Sequence, residues 1–222
     1  MDFFNPTYYT QTYRKFKAIN PTNYRAIVRF YEKEEEKILR LDFDEFFELL
    51  VAYVDALFEI GAYRKHLLLV DVVIEKTISN NITEYKKEKI FNKMLFRKAA
   101  SLYNTHQYEK ATYILSELIK INPADNTPAL FYKKCRLKAR PALLNKARAT
   151  SVFLLFLTAL IISIEVLFVR PFYSMHISLV MAVRNSLFIL GCLTIIFGFG
   201  YNYYLANQDT KIFVENARRK VA

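Results

Sequence analysis

Two long apolar runs close the chain, at residues 151–169 and 177–204. A helix that crosses a hydrocarbon core about 30 Å thick takes about 20 apolar residues, and each run reaches that length. The first, SVFLLFLTALIISIEVLFV, holds one charge, Glu165. The second, centred on SLFILGCLTIIFGFG, holds Arg184 near its start. Only RPFYSMH separates them, so they predict a hairpin of two membrane-crossing helices. The residues before it suffice for one N-terminal domain outside the lipid.

Charge follows the same division. Residues 1–130 hold 19 Lys+Arg and 18 Asp+Glu, whereas residues 131–222 hold 13 Lys+Arg and only Glu165, Asp209 and Glu215. The net charge of +11 therefore belongs to the apolar part and its flanks. A nucleic-acid-binding domain would carry its basicity on the soluble half, so a nucleic-acid partner is not expected. Lys133, Lys134, Arg136, Lys138, Arg140, Lys146 and Arg148 precede the first run; Lys211, Arg218, Arg219 and Lys220 follow the second; the turn holds Arg170 alone. By the Lys/Arg bias both termini are expected in the cytoplasm. MDFFNPTYYT lacks a basic leader and an apolar core, so no secretory signal is expected. The expected location is a cytoplasmic membrane of the bacterial inner type, with an anionic inner leaflet against the basic segment 139–150.

The first 130 residues read as helix. Gly61 is the only glycine before Gly191, no stretch alternates with a period of two, and Phe46, Leu49, Leu50, Tyr53, Val54, Leu57 and Phe58 recur at helical spacing. Helices are expected at roughly 7–18, 22–39, 44–60, 63–78, 84–104, 108–121, 128–139, 142–169 and 177–205. Asp44, Thr83 and Thr127 are the expected N-caps of the third, fifth and seventh. The run EKEEEK at 32–37 reads as a solvated helix face. The aromatic cluster FFNPTYYTQTYRKF at 3–16 reads as packing over the end of the helical layer, with a partner-binding surface as the alternative.

Two segments echo each other: LLVAYVDALFEIGAYRKHLLLVDVVIEK at 49–76 and MLFRKAASLYNTHQYEKATYILSELIK at 94–120. Gly61-Ala62-Tyr63 stands opposite His106-Gln107-Tyr108. In each, an amphipathic helix ends at a short turn and a second begins at the tyrosine. The second segment resembles a tetratricopeptide repeat. Ala99 stands where that family has a small residue for close helix approach, Tyr108 opens the second helix, and Ala111 is the small residue at the helix contact. Leu115 and Leu118 point inward, and Ile121-Asn122-Pro123 ends the repeat. The resemblance covers 92–125 and, more loosely through Gly61 and Tyr63, 47–78. The chain departs from the family in having no Trp, in Lys98 at a Leu position, in His66 where the other copy has Ala111, and in a spacing of 45 rather than 34 residues. A generic bundle of paired helices places the same helices and lacks only the concave groove that the resemblance implies.

Little points to catalysis. His66, His106 and His176 have no convergent ligands at recognisable spacing, Cys135 and Cys192 form no metal or disulfide pattern, and no glycine-rich phosphate loop is present. No catalytic residue, metal or cofactor is expected. Within the apolar runs, Glu165 and Arg184 fall at similar depth when the chain turns at 171–176, and an interhelical ion pair is expected between them. Gly191 and Gly198, seven residues apart, share a helix face suited to close helix packing against the first apolar helix, another copy or another protein. Tyr201, Tyr203 and Tyr204 read as an interfacial belt.

The expected architecture is all-α: a tetratricopeptide-like helical-hairpin solenoid over 1–132, a basic juxtamembrane segment over 133–150, a two-helix transmembrane hairpin over 151–205 and a basic tail over 206–222. Its expected function is a non-enzymatic scaffold that recruits other proteins to a membrane or a membrane complex. The alternative is an oligomeric membrane-active protein, a pore or transport subunit gated by the helical domain, with Glu165, Arg184, Asn185 and Asn202 facing a wet interior.

Overall fold

A computed structural model describes residues 10–85, 88–139 and 141–221. Residues 3–9 of the aromatic cluster, Lys86 and Lys87 between the two echoing segments, and Arg140 lie outside the described residues, as do the side chains of Pro141, Leu143, Ser174 and Val221; His176 is exposed. The chain divides into two compact units, Met1–Pro128 and Ala129–Ala222. The described residues are helical throughout and contain no strand; one isolated bridge joins Tyr85 and Glu88.

The first unit contains α1 (Gln11–Lys17), α2 (Tyr24–Lys33), α3 (Glu35–Ile38), α4 (Phe43–Glu59), α5 (Tyr63–Ser79), α6 (Ile90–Asn104) and α7 (Tyr108–Ile121). Its centre is α4, which buries Leu49, Leu50, Val51, Tyr53, Val54, Ala56 and Leu57. These residues lie on more than one face because α4 is covered on several sides. α2 packs against it, with Tyr31 stacked on Tyr53 at 4.1 Å, and α5 packs on another face. α1 is held by polar bonds: Thr10 N and Oγ1 donate to Glu45 at 2.9 and 2.7 Å, Tyr13 OH donates to Glu48 at 2.5 Å, and Lys17 Nζ donates to the same carboxylate at 2.6 Å. Glu45 and Glu48 are thus buried acids with their acceptors filled, which removes most of the cost of burying them.

From α4 to α7 each helix packs chiefly on its neighbour in sequence, and the turns of the two pairs are built alike. After α4, Ala62 N–H donates to Leu57 O (2.9 Å) and Gly61 N–H to Phe58 O (3.0 Å). After α6, Gln107 N–H donates to Leu102 O (2.8 Å) and His106 N–H to Tyr103 O (3.0 Å). This is the helix stop in which one left-handed residue turns two N–H groups back onto the last carbonyls. Gly61 takes φ +78° and His106 φ +62°. Aromatic edges then close both turns, Phe58 on Tyr63 at 5.7 Å and Tyr103 on Tyr108 at 5.2 Å. Burial repeats at the same offset of 45: Val54 and Ala99, Val70 and Leu115, and Val73 and Leu118 are all buried.

In the second unit, α8 (Asn126–Ala139), most of which belongs here, is followed by α9 (Pro141–Ile164), a π-helical turn (Glu165–Val169), α10 (Arg170–Phe172), a 3-10 turn (Ser174–His176) and α11 (Ile177–Val221). α9 and α11 run antiparallel against each other. Both apolar helices are long enough to cross a membrane, over Leu144–Phe172 and Ile177–Lys220.

Several expected boundaries move. The helix expected at 22–39 breaks at Glu34, which ends α2 with φ −107° and passes into the single turn of α3. The expected cap Asp44 lies inside the first turn of α4, and Asp42 holds the cap position. Thr83 caps nothing: α6 starts at Ile90 because Tyr85 and Glu88 exchange backbone hydrogen bonds with each other. At the start of α8, Asp125 Oδ1 accepts from Thr127 N–H at 2.8 Å, so Asp125 does the capping expected of Thr127. The last helix does not stop at 205 but continues to Val221, since nothing after Gly200 breaks it.

Candidate functional site

In the first unit, Arg97 of α6 reaches across to α4. Its Nη1 lies 3.3 Å from Asp55 Oδ1, its Nη2 2.9 Å from Glu59 Oε1, and its guanidinium sits 4.8 Å from the centre of the Phe58 ring. Lys93, one turn away, pairs with Asp55 at 3.3 Å and with Glu88 at 2.8 Å. Two hollows share Glu88 and Lys93 in their walls. One, of about 340 Å³, is lined by Phe16, Tyr24, Val51, Asp55 and Tyr85. The other, of about 530 Å³, is lined by Phe96, Arg97, Leu118, Asn122 and Asp125. Both hollows are amphipathic, with rings and aliphatics beside charged side chains. Arg97 was not singled out in the sequence; its signal was its position beside Lys98, which itself pairs with Asp71 at 2.6 Å.

The residues that carried the tetratricopeptide resemblance occupy these places. Ala99, Ala111 and Leu115 are fully buried, Tyr63 and Tyr108 open α5 and α7, Gly61 turns the chain, and Pro123 follows the end of α7. His66, at the position of Ala111, is also fully buried. Its Nδ1 meets Ser101 Oγ at 2.9 Å, and its Nε2 has no partner among the described residues. Burial pushes the imidazole down to about 4, with Arg97 adding to the effect and Asp71 opposing it. His106 is exposed and bonds Tyr108 OH at 2.7 Å. Among the described residues no three His, Cys, Asp or Glu side chains converge as metal ligands.

In the second unit the hairpin brings its charges together. Glu165 is fully buried. Arg184 Nη1 donates to its Oε2 at 2.8 Å, and Arg170 Nη2 and Nε donate to its Oε1 at 3.0 and 3.3 Å. The second arginine comes from the π-helical turn. Arg170 N–H bonds the Glu165 carbonyl five residues back, and that widened turn stacks Arg170 over Glu165, where an α-helix would carry it round the side.

Farther down, Ser151 Oγ donates to Gly191 O at 2.7 Å. A Cβ on Gly191 would meet Leu154 Cβ at 3.4 Å, and one on Gly198 would meet Ala147 Cβ at 2.5 Å. Both glycines therefore face α9. Beyond them α8 lies along α11: Asn202 Nδ2 donates to Leu137 O at 3.3 Å, Lys133 Nζ sits 4.1 Å over the Tyr203 ring, Arg136 pairs with Asp209 at 2.7 Å, and Tyr132 stacks on Phe213 at 5.4 Å. Burial raises the Cys135 thiol on α8 to about 12, a shift Lys134 partly offsets. The outward faces stay apolar, with Phe153, Phe156, Phe168, Ile189, Ile196 and Phe197 among the exposed residues.

Set against family models, curated proteins and solved structures, the chain matches none of them.

Proposed function

We propose that this chain is a membrane-anchored recruiting protein: a hairpin of α9 and α11 crosses the bilayer, and the helical unit formed by α1 to α7 binds another protein on the basic, cytoplasmic side. The observation that carries this reading is the pairing of two apolar helices whose polar groups are turned inward. Glu165, Arg184, Ser151 and Asn202 are bonded within the unit, while the rings and aliphatics outside have only lipid to face. Lys/Arg flanks at the open end of the hairpin support a cytoplasmic location for that end.

For the recruiting unit, the like-built turns at Gly61 and His106 and the matched burial at an offset of 45 support a tetratricopeptide-like stack. Its groove would be formed by the two amphipathic hollows that share Glu88 and Lys93, suited to a peptide or helix with apolar side chains and mixed charge. The pore alternative needs Glu165, Arg184, Asn185 and Asn202 in water. Their mutual bonds weigh against it: Asn185 accepts from Arg184 Nε at 3.2 Å and Asn202 donates to α8.

Affinity purification of the full chain from native membranes, read by mass spectrometry, tests the proposal. A heteromeric complex that Arg97→Glu releases supports it. A homo-oligomer that leaks ions on reconstitution supports the pore instead, and a full chain monodisperse in plain buffer refutes both.

A further inference from the structure

The end of the hairpin holds two guanidiniums against one carboxylate. Arginine stays protonated under all ordinary conditions, so this end carries one positive charge in excess. Both oxygens of Glu165 are taken. Arg170 spends Nε and Nη2 on Glu165, and Arg184 spends Nη1 on Glu165 and Nε on Asn185. Arg170 Nη1 and Arg184 Nη2 remain without a partner among the described residues. N–H groups left unmatched are costly in an apolar setting. The side chain of Arg170 is 53% exposed and that of Arg184 24%, so an anion can reach both.

We propose that Arg170 and Arg184 together bind the phosphate of a phospholipid headgroup on the side of the membrane away from the basic flanks. The inference rests on the membrane-crossing reading above. Guanidinium forks match phosphate oxygens in pairs. Arg170 starts the turn, where exposed Phe172, Tyr173 and Met175 suit the headgroup level and lipid phosphate is abundant. A second copy of the chain has no free anion to offer at this level. After residue 130 the acids are Glu165, Asp209 and Glu215; the first is buried and used, and the other two lie at the far end of α11.

The test uses the full chain in a maltoside detergent, which contains no phosphate, titrated with phosphatidylglycerol. Native mass spectrometry reads the lipid retained and thermal unfolding reads the shift in midpoint. The expected result is retained lipid and a raised midpoint for the unaltered chain, with affinity about tenfold or more weaker in Arg170→Gln and partly recovered in Arg170→Lys. Diacylglycerol with the same tails, and inorganic phosphate alone, should raise the midpoint in neither. Lys146→Gln, which removes a cation at the other end, should leave the Arg170-dependent retention in place. Equal retention by Arg170→Gln, or an equal effect of diacylglycerol or inorganic phosphate, overturns the proposal. Alkaline extraction of membranes separates the two readings: a chain that stays in the membrane yet ignores the headgroup loses only this site, and a chain that washes off loses both.

Discussion

Replacing Glu165 by glutamine leaves two guanidiniums facing a neutral amide between α9 and α11. Breaking a buried pair from one side costs about 3–5 kcal/mol, so thermal unfolding in detergent should show a large loss for Glu165→Gln. The double change Glu165→Leu with Arg184→Leu should recover most of it, since it removes charge and partner together. Steric limits set the two glycines apart. A Cβ at Gly198 has no room against Ala147, whereas Gly191 has ordinary contact distance. Gly198→Ala should therefore destabilise the hairpin by about 1–3 kcal/mol and Gly191→Ala by much less, read in the same experiment. At the turns, Gly61→Ala forces a Cβ into the left-handed region, a cost of about 1–2 kcal/mol.

His66 gives a residue-scale pH dependence. Its folded value lies below its unfolded one, so the unfolded chain binds the extra proton first as the pH falls. The stability tied to neutral His66 is fully present above about pH 6.5 and declines as pH drops toward about 4. The full loss is on the order of 3 kcal/mol. Asn at this position keeps a partner for Ser101 and does not titrate, so His66→Asn should flatten the pH 7 to pH 5 part of the unfolding curve. Equal slopes for the two proteins would remove His66 as the cause.

Among the elements, α11 is the one whose length carries a consequence. Its 45 residues span about 67 Å at 1.5 Å per residue, more than twice the hydrocarbon core. The part past Gly200 is neither a span nor a loose tail: it packs on α8 through Asn202, Asp209 and Phe213. Phe213→Ala should loosen that packing, and Cys135, fully buried on α8, reports it. In a Cys192→Ser background Cys135 should be inert to maleimide, and Phe213→Ala should make it react. This pairing was not legible in the sequence. Basic residues after a span read equally well as a solvated tail, and no period marks a helix whose partner is contributed by residues about seventy positions earlier. The hairpin itself was legible, because twenty apolar residues without a backbone partner have few folds open to them. The π-helical turn was not, because Arg170 read as a turn residue and only a five-residue backbone bond brings it to Glu165.

For the whole molecule, the topology proposal makes a labelling prediction. Tyr173→Cys, at the closed end of the hairpin, should react with a membrane-impermeant maleimide in intact cells. Lys220→Cys, at the open end, should react only after permeabilisation. The reverse pattern inverts the topology.

What the sequence alone determined was the helical class, the two apolar runs, their depth-matched charges and the echo between two helix pairs. Each is written in local spacing, and helices are closed by local bonds. Tertiary structure alone decided that Gly191 and Gly198 face α9, that Arg170 joins Arg184 on Glu165, that Arg97 ties α4 to α6, and that α8 runs along the end of α11. These depend on which faces meet across long separations in the chain, and close packing selects one such arrangement among many with the same local pattern.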